Sequence, residues 1–160
     1  MSGIADYVGR TVDVLAWQWP STQNGLLTAA LMLPGNDGMI IAGIDKLVQR
    51  FLLELLTESG SILFAPTRGC QFMAYLRMGH IRTSFDAHQL FNSALVDITR
   101  NLLSDQLLSD PTDEQFAGAT LTSISLSADI LTFGVSVLSQ AGTGRTVVLP
   151  LSTTLTGGPN

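Results

Sequence analysis

The side chains that could do chemistry gather in the middle of the chain. The stretch LLTESGSILFAPTRGCQFMAYL, residues 55–76, breaks two apolar runs with a carboxylate (Glu58), a guanidinium (Arg68) and the chain's one thiol (Cys70). One helical turn before Glu58 stands Glu54. Paired carboxylates are the working parts of glycoside hydrolases, one held protonated by an apolar pocket and the other ionised across the scissile bond. Glu54 and Glu58 fall on one face of the helix predicted there, so they point the same way and do not flank a sugar bond. Further along, His80, Asp86 and His88 could supply three metal ligands, but spacings of six and two residues fit no site with a mechanism behind it. Ser84, Asp86 and His88 contain the letters of a triad, which geometry rather than letters defines. The chain has no Gly-x-Ser-x-Gly elbow, phosphate-cradling glycine loop or Cys-x-x-Cys. The expectation is no catalytic residue, no metal and no cofactor, with a lysozyme-like hydrolase using Glu54 or Glu58 as the alternative.

The same stretch reads better as a structural corner made by Thr57, Gly60, Pro66, Arg68 and Gly69. Pro66 and Gly69 bracket a tight turn, and Gly60 ends the preceding helix as glycine ends many helices. Arg68 is the one strong donor in an apolar neighbourhood, and its planar fork suits tying loop carbonyls or a carboxylate together. Cys70, beside Phe72 and Met73, reads as a small buried hydrophobe.

Two kinds of period position this corner. Before it, Leu47, Val48, Phe51, Leu52, Leu55 and Leu56 make one face of a helix, with Asp45 as its candidate cap. After it come a short helix over 71–77, stopped near Gly79, and the longest helix. That last one is capped by Ser84, carries the stripe Leu90, Phe91, Ala94, Leu95, Ile98 and Leu102, and runs to about Leu108 before Asp110-Pro111. Beyond Pro111 the period becomes two. Residues 121–126, 131–137 and 146–151 alternate apolar with Thr, Ser or Gly, turning at SADI (127–130) and QAGTGR (140–145). Upstream, residues 11–17 and 26–33 read as extended, and PGNDG at 34–38 predicts a hairpin between 26–33 and 39–41. The predicted fold is therefore α+β. An N-terminal arm and hairpin (1–42) precede a domain (43–160) in which helices over 45–108 pack on an antiparallel meander over 118–151, followed by a loose tail over 152–160.

Composition narrows the function classes. A chain of 160 residues suits one domain, and with 46% hydrophobic and 13% charged residues and a mean hydropathy of +0.33 it is too apolar for disorder. It is also thinly charged for a solvated monomer, which predicts that partners cover part of its exterior. The apolar runs are well short of the ~20 residues a membrane span needs, and MSGIADYVGR lacks the layout of a signal peptide. A single cysteine forms no internal disulfide, which points to assembly in a reducing cytoplasm. Net charge is −5, with one lysine (Lys46) and seven scattered arginines, so no basic patch for nucleic acid is present.

The segment GIDKLVQRFLLELLTESGSILFAPTRGCQF (43–72), followed by a short helix and the longer helix around LFNSALVDITRNLL (90–103), resembles the small wedge proteins of contractile phage-tail baseplates. The type VI secretion baseplate has a counterpart. In that family a helix ends in a Thr-x-x-Gly corner that leads through a Pro and a Gly to a second helix. Thr57, Gly60, Pro66 and Gly69 stand at those places. A long helix and a small antiparallel sheet follow, so the likeness spans about residues 31–151. The family's Glu-Pro-Arg signature reads DPTDEQF at 110–116 here, keeping Pro111 and Glu114 as residue types without the arginine. The resemblance implies a non-enzymatic virion component of the tail baseplate, present in multiple copies. Its partners would be other wedge and hub proteins and the tail sheath subunit, with no nucleic acid or membrane. The edge expected to face the sheath is the last strand, at Thr146, Val147, Val148 and Leu149.

Overall fold

The computed structural model describes residues 13–14, 17–18, 30–31, 40–127 and 130–152. Four two-residue strands come first: β1 (Asp13–Val14), β2 (Trp17–Gln18), β3 (Ala30–Leu31) and β4 (Ile40–Ile41). Three helices follow, α1 (Ile44–Leu56), α2 (Phe72–Arg77) and α3 (Ser84–Asp105), and then β5 (Phe116–Ser127), β6 (Ile130–Ser139) and β7 (Gly144–Ser152). The fold is α+β, with the helices on one face of an antiparallel meander of order β5-β6-β7. The period-3.6 and period-2 halves of the sequence thus occupy separate layers, because a helix stripe and an alternating sheet face must each bury against something.

The core is where those layers meet. Helix α1 buries Leu47, Val48, Phe51, Leu52 and Leu55, and α3 buries Ala87, Phe91, Ala94, Ile98 and Leu102. From the sheet, β6 contributes Leu131, Phe133, Val135 and Val137, while β5 contributes Phe116 and Ala119 and β7 contributes Val147 and Leu149. Phe133 is the hub, meeting Phe72 of α2 edge-on at 5.5 Å between ring centroids and Phe91 of α3 at 6.5 Å. Phe51 stacks on Phe116 at 6.0 Å, pinning α1 to the start of the meander. On β5, Thr120, Ser123 and Ser125 point away from the helices and are exposed.

Several boundaries differ from the sequence reading. Helix α1 is capped by Gly43 rather than Asp45, which lies in its first turn. It ends at Leu56, with Thr57 as C-cap, so Gly60 sits inside the corner rather than closing the helix. Helix α3 is capped by Thr83, not Ser84. The Thr83 hydroxyl accepts from the Asp86 N–H while the Asp86 carboxylate accepts from the Thr83 N–H, satisfying two end donors reciprocally. It stops at Asp105 instead of reaching Leu108. In the N-terminal region β1 pairs with β4 and β2 with β3, so the described partners of 30–31 and 40–41 are residues 17–18 and 13–14, not each other. The PGNDG turn and the tail over 153–160 lie outside the described residues. Among the described residues, no helix is long and apolar enough to cross a membrane.

Candidate functional site

Glu54 organises the corner from inside. It is the one carboxylate on the inner face of α1, and a buried charge is tolerated only when it is paired and hydrogen-bonded. Oε1 meets the Arg68 guanidinium at 2.7 Å, while Oε2 accepts from the Gly69 N–H and from Asn101 Nδ2, both at 2.8 Å. Arg68 also reaches Asp105 at the end of α3, at 2.6 Å, and Arg50 approaches that carboxylate at 3.6 Å. Asn101 turns its remaining reach to the Thr67 carbonyl at 3.2 Å. One arginine and one asparagine therefore lash α1, the loop and α3 together.

The loop between is closed by its own backbone. The Cys70 N–H donates to the Thr57 carbonyl, the Ser59 N–H to the Cys70 carbonyl, and the Gly60 N–H to the Pro66 carbonyl, at 2.9–3.1 Å. Gly69 is required here twice over. Its φ is +80°, and a Cβ would stand 2.3 Å from the Thr57 carbonyl oxygen. Thr57, Gly60, Pro66, Arg68 and Gly69, separated by up to twelve positions in sequence, are brought together in one hydrogen-bonded knot. Cys70 is fully buried behind it; burial pushes its thiol up to about 11, and Sγ lies 3.4 Å from the Leu55 carbonyl. That environment suppresses the thiolate a nucleophile needs.

The carboxylate pair does not form. Glu58 lies beyond the end of α1, so it does not share a helix face with Glu54, and it pairs instead with Arg77 of α2. That separation removes the premise on which the two glutamates were compared. His80 and His88 are both exposed, and His80 packs edge-on against Tyr75 at 5.7 Å. Asp86 spends its carboxylate on the α3 cap: the Thr83 hydrogen bond, then the Arg82 N–H, hold it below the usual carboxylate range. Ser84, Asp86 and His88 are thus the first turns of a helix, with the aspartate turned towards residues 82 and 83. Among the described residues, no three His, Cys, Asp or Glu side chains gather as a metal site.

At the sheet, β7 pairs with β6 from Ser152↔Ile130 to Gly144↔Leu138, and no described strand lies on its other side. Val147 and Leu149 point into the core, whereas Thr146 is exposed and Val148 half-buried. The edge therefore offers a neighbour its backbone plus Thr146 and Val148, while its alternate side chains hold the sheet to the helices. Arg145, at its start, pairs with Asp45 at 3.1 Å.

One residue was missed as a fixed point. Glu114 is buried and accepts from the Gly43 N–H at 3.0 Å and from Lys46 Nζ at 2.7 Å, reaching across 71 positions to close the first turn of α1. The sequence signal available was a lone glutamate just before the meander, in the segment compared with the Glu-Pro-Arg signature. Beside the corner, Leu63 and Phe64 are 82% and 94% exposed. The chain matches no protein-family model, no curated protein and no solved structure.

Proposed function

We propose that this chain is a structural, non-enzymatic subunit of a contractile-tail baseplate wedge. In this reading it is present in several copies in the virion tail, ties wedge proteins to the hub and tube region, and seeds sheath polymerisation. The observation that carries the reading is the outer edge of β7, beside which no described strand lies. Edge strands are normally blunted by charge or proline because unpaired N–H and C=O groups template another chain. After Arg145 this edge carries no charge, and Pro150 interrupts only its far end. A strand added there would satisfy the open backbone groups and bring affinity through main-chain hydrogen bonds. The order helix, corner, short helix, long helix, meander supports the same reading through the resemblance described above.

The test places a charge on the edge without touching the core. Tails assembled with Val148→Lys should carry complete baseplates that fail to nucleate sheath, while the purified variant melts within about 3 °C of the parent. Sheath of normal length on those tails, seen by electron microscopy, overturns the docking role. A secretion-system baseplate is the same physics in another machine, and electron microscopy of the native particle separates the two. The hydrolase alternative draws no support from Glu54, which three donors already occupy, or from Glu58, which is engaged by Arg77. Clearing of peptidoglycan by the purified protein, lost in both Glu54→Gln and Glu58→Gln, would reinstate it.

A further inference from the structure

The two outer strands of the meander differ in how evenly they present their backbone. The Ser139 N–H donates to the Thr143 carbonyl at 2.9 Å, so the odd-numbered residues there turn their peptide groups towards each other across β6 and β7. Alternation along the strands carries the pattern through Arg145↔Val137, Val147↔Val135, Leu149↔Phe133 and Leu151↔Leu131. Pro150 agrees with it. Proline has no N–H to give a ladder and is kept to the solvent side of an edge strand, and Pro150 falls among the residues that face outward. The outward set on β7 is Gly144, Thr146, Val148 and the Pro150 carbonyl. It is evenly spaced, because the register from Ile130↔Ser152 to Leu138↔Gly144 runs without a shift.

Strand β5 is built otherwise. Gly118, Thr120, Ser123 and Ser125 stand opposite the even-numbered residues of β6 and bond to them, which leaves Ala119, Leu121, Ile124 and Leu126 facing outward. The step from Leu121 to Ile124 is three residues rather than two, because the register shifts between Leu121 and Ser123. A straight strand laid along that edge matches one half and loses the other. A bulge also bends and twists its strand, one of the ways edges are closed to pairing. The bulge is seated on Gly134, where a Cβ would stand 2.6 Å from Ser123 Oγ and 2.7 Å from Thr122 Oγ1. A second shift, between Phe116 and Gly118, disturbs the start of the strand. There the Gln106 side chain accepts from the Phe116 N–H at 2.9 Å, and the Gln140 side chain donates to the Phe116 carbonyl at 3.1 Å.

We infer that a strand extends this sheet at β7 alone, over Gly144–Val148 with its end at Pro150, and that the bulge seated on Gly134 keeps β5 closed. The inference rests on the baseplate reading for the owner of that strand, the sheath subunit, and on the two ladders for where it lies. The segment that fits is extended and uncharged. It exchanges main-chain hydrogen bonds with Thr146 and Val148 and goes no further than the Pro150 carbonyl. Strand β5 of a second copy does not fit, so the sheets of successive copies do not run into one another.

Amide hydrogen exchange tests the β7 side. In the isolated full chain, the N–H groups of Thr146 and Val148 should exchange at least about tenfold faster than those of Val147 and Leu149, which β6 holds. Equal protection at all four overturns the inference, because the edge is then already covered. In assembled tails, deuterium uptake should fall over 144–149 and stay unchanged over 116–127. A fall at β5 with sheath in place overturns the one-sided extension and leaves the baseplate reading standing. Deletion of Thr122 tests the β5 side, since it restores the even step. In sedimentation that variant, shown to be folded by circular dichroism, should self-associate at least about tenfold more tightly than the parent, and adding Val148→Lys should remove the gain. No gain overturns the closure of β5. A chain absent from tails removes the baseplate reading instead, and the deletion, which needs no tail, still decides which edge takes a strand.

Discussion

The two ends of α1 are closed by the same device from different sources. At each end a positive-φ glycine, Gly43 at +64° and Gly69 at +80°, donates its N–H to a buried glutamate that also holds a cation. At the N-terminal end the acid is Glu114 and the cation Lys46; at the C-terminal end they are Glu54 and Arg68. The acid at the first end arrives from just before the meander, where a carboxylate at a helix N-terminus also faces the positive end of the helix dipole. At the second end the helix supplies its own acid to organise the loop that follows. The Lys46 clamp is a point charge on a flexible stem, without the fixed geometry of a guanidinium. The Arg68 clamp is a planar fork shared with Asp105 and reinforced by Asn101, so loss of its acid takes an acceptor from three donors at once, the backbone N–H of Gly69 among them.

That difference sets the order of expected effects. Glu54→Ala should cost the most, about 4 kcal/mol in chemical denaturation, because it leaves Arg68, Asn101 and the Gly69 N–H short of a buried acceptor. A cost under about 1 kcal/mol would mean the loop does not need its acid. Gly69→Ala should follow at about 3 kcal/mol, combining left-handed strain with a Cβ driven into the Thr57 carbonyl. Gly60→Ala, with φ +86° but open space around its Cβ, should cost only about 1 kcal/mol. Equal costs at the two glycines would show that strain alone matters and that the close approach does not.

Glu114→Ala is expected to cost about 2 kcal/mol, less than Glu54→Ala, because it takes the acceptor from the Gly43 N–H and Lys46, whereas Glu54 serves three donors. Finding it the larger of the two would reverse the account of the clamps. Arg68→Ala should cost about 1–2 kcal/mol, and Arg68→Lys should recover only part of that, lacking the bidentate fork. The thirteen residues of α1 separate the clamps by roughly 20 Å. Arg68→Ala and Glu114→Ala should therefore add to within about 0.5 kcal/mol, and a larger coupling would show that α1 transmits strain between its ends. The smallest effect is in pH. The capping bonds hold Asp86 below the ordinary carboxylate range, so its contribution to α3 is present above about pH 4 and disappears as pH falls through the folded value. Asp86→Asn should flatten that part of the acid unfolding curve; an unchanged curve would mean the capping carboxylate does not stabilise the helix.

Legibility followed sequence distance. The helical stripe of α1 and the alternation of β6 are local patterns, and each could be read from neighbours within about a dozen positions. Arg68 could be read as a staple for loop carbonyls or a carboxylate, yet that it takes Glu54 and Asp105 was not legible. Glu54 and Glu58 looked equivalent until α1 stopped at Leu56 and sent one inward and the other to Arg77. Caps were misplaced by one or two positions because Ser84 and Asp45 satisfy capping preferences as well as Thr83 and Gly43 do. At the edge, sequence marked Thr146, Val147, Val148 and Leu149 alike, and the pleat divided them by turning Val147 and Leu149 into the core.

By itself the sequence determined the layers of this protein: which stretch is helical, which is sheet, and where the chain must turn between them. Those choices rest on residue period and on backbone preferences that act within a few positions. Only the tertiary structure decided that Glu114 closes a helix 71 positions upstream, that Asn101 and Asp105 complete the corner, and that β7 is the outer strand of the described meander. A buried charge takes whichever donor the fold brings within hydrogen-bond reach, and that donor's place along the chain carries no period that sequence could display.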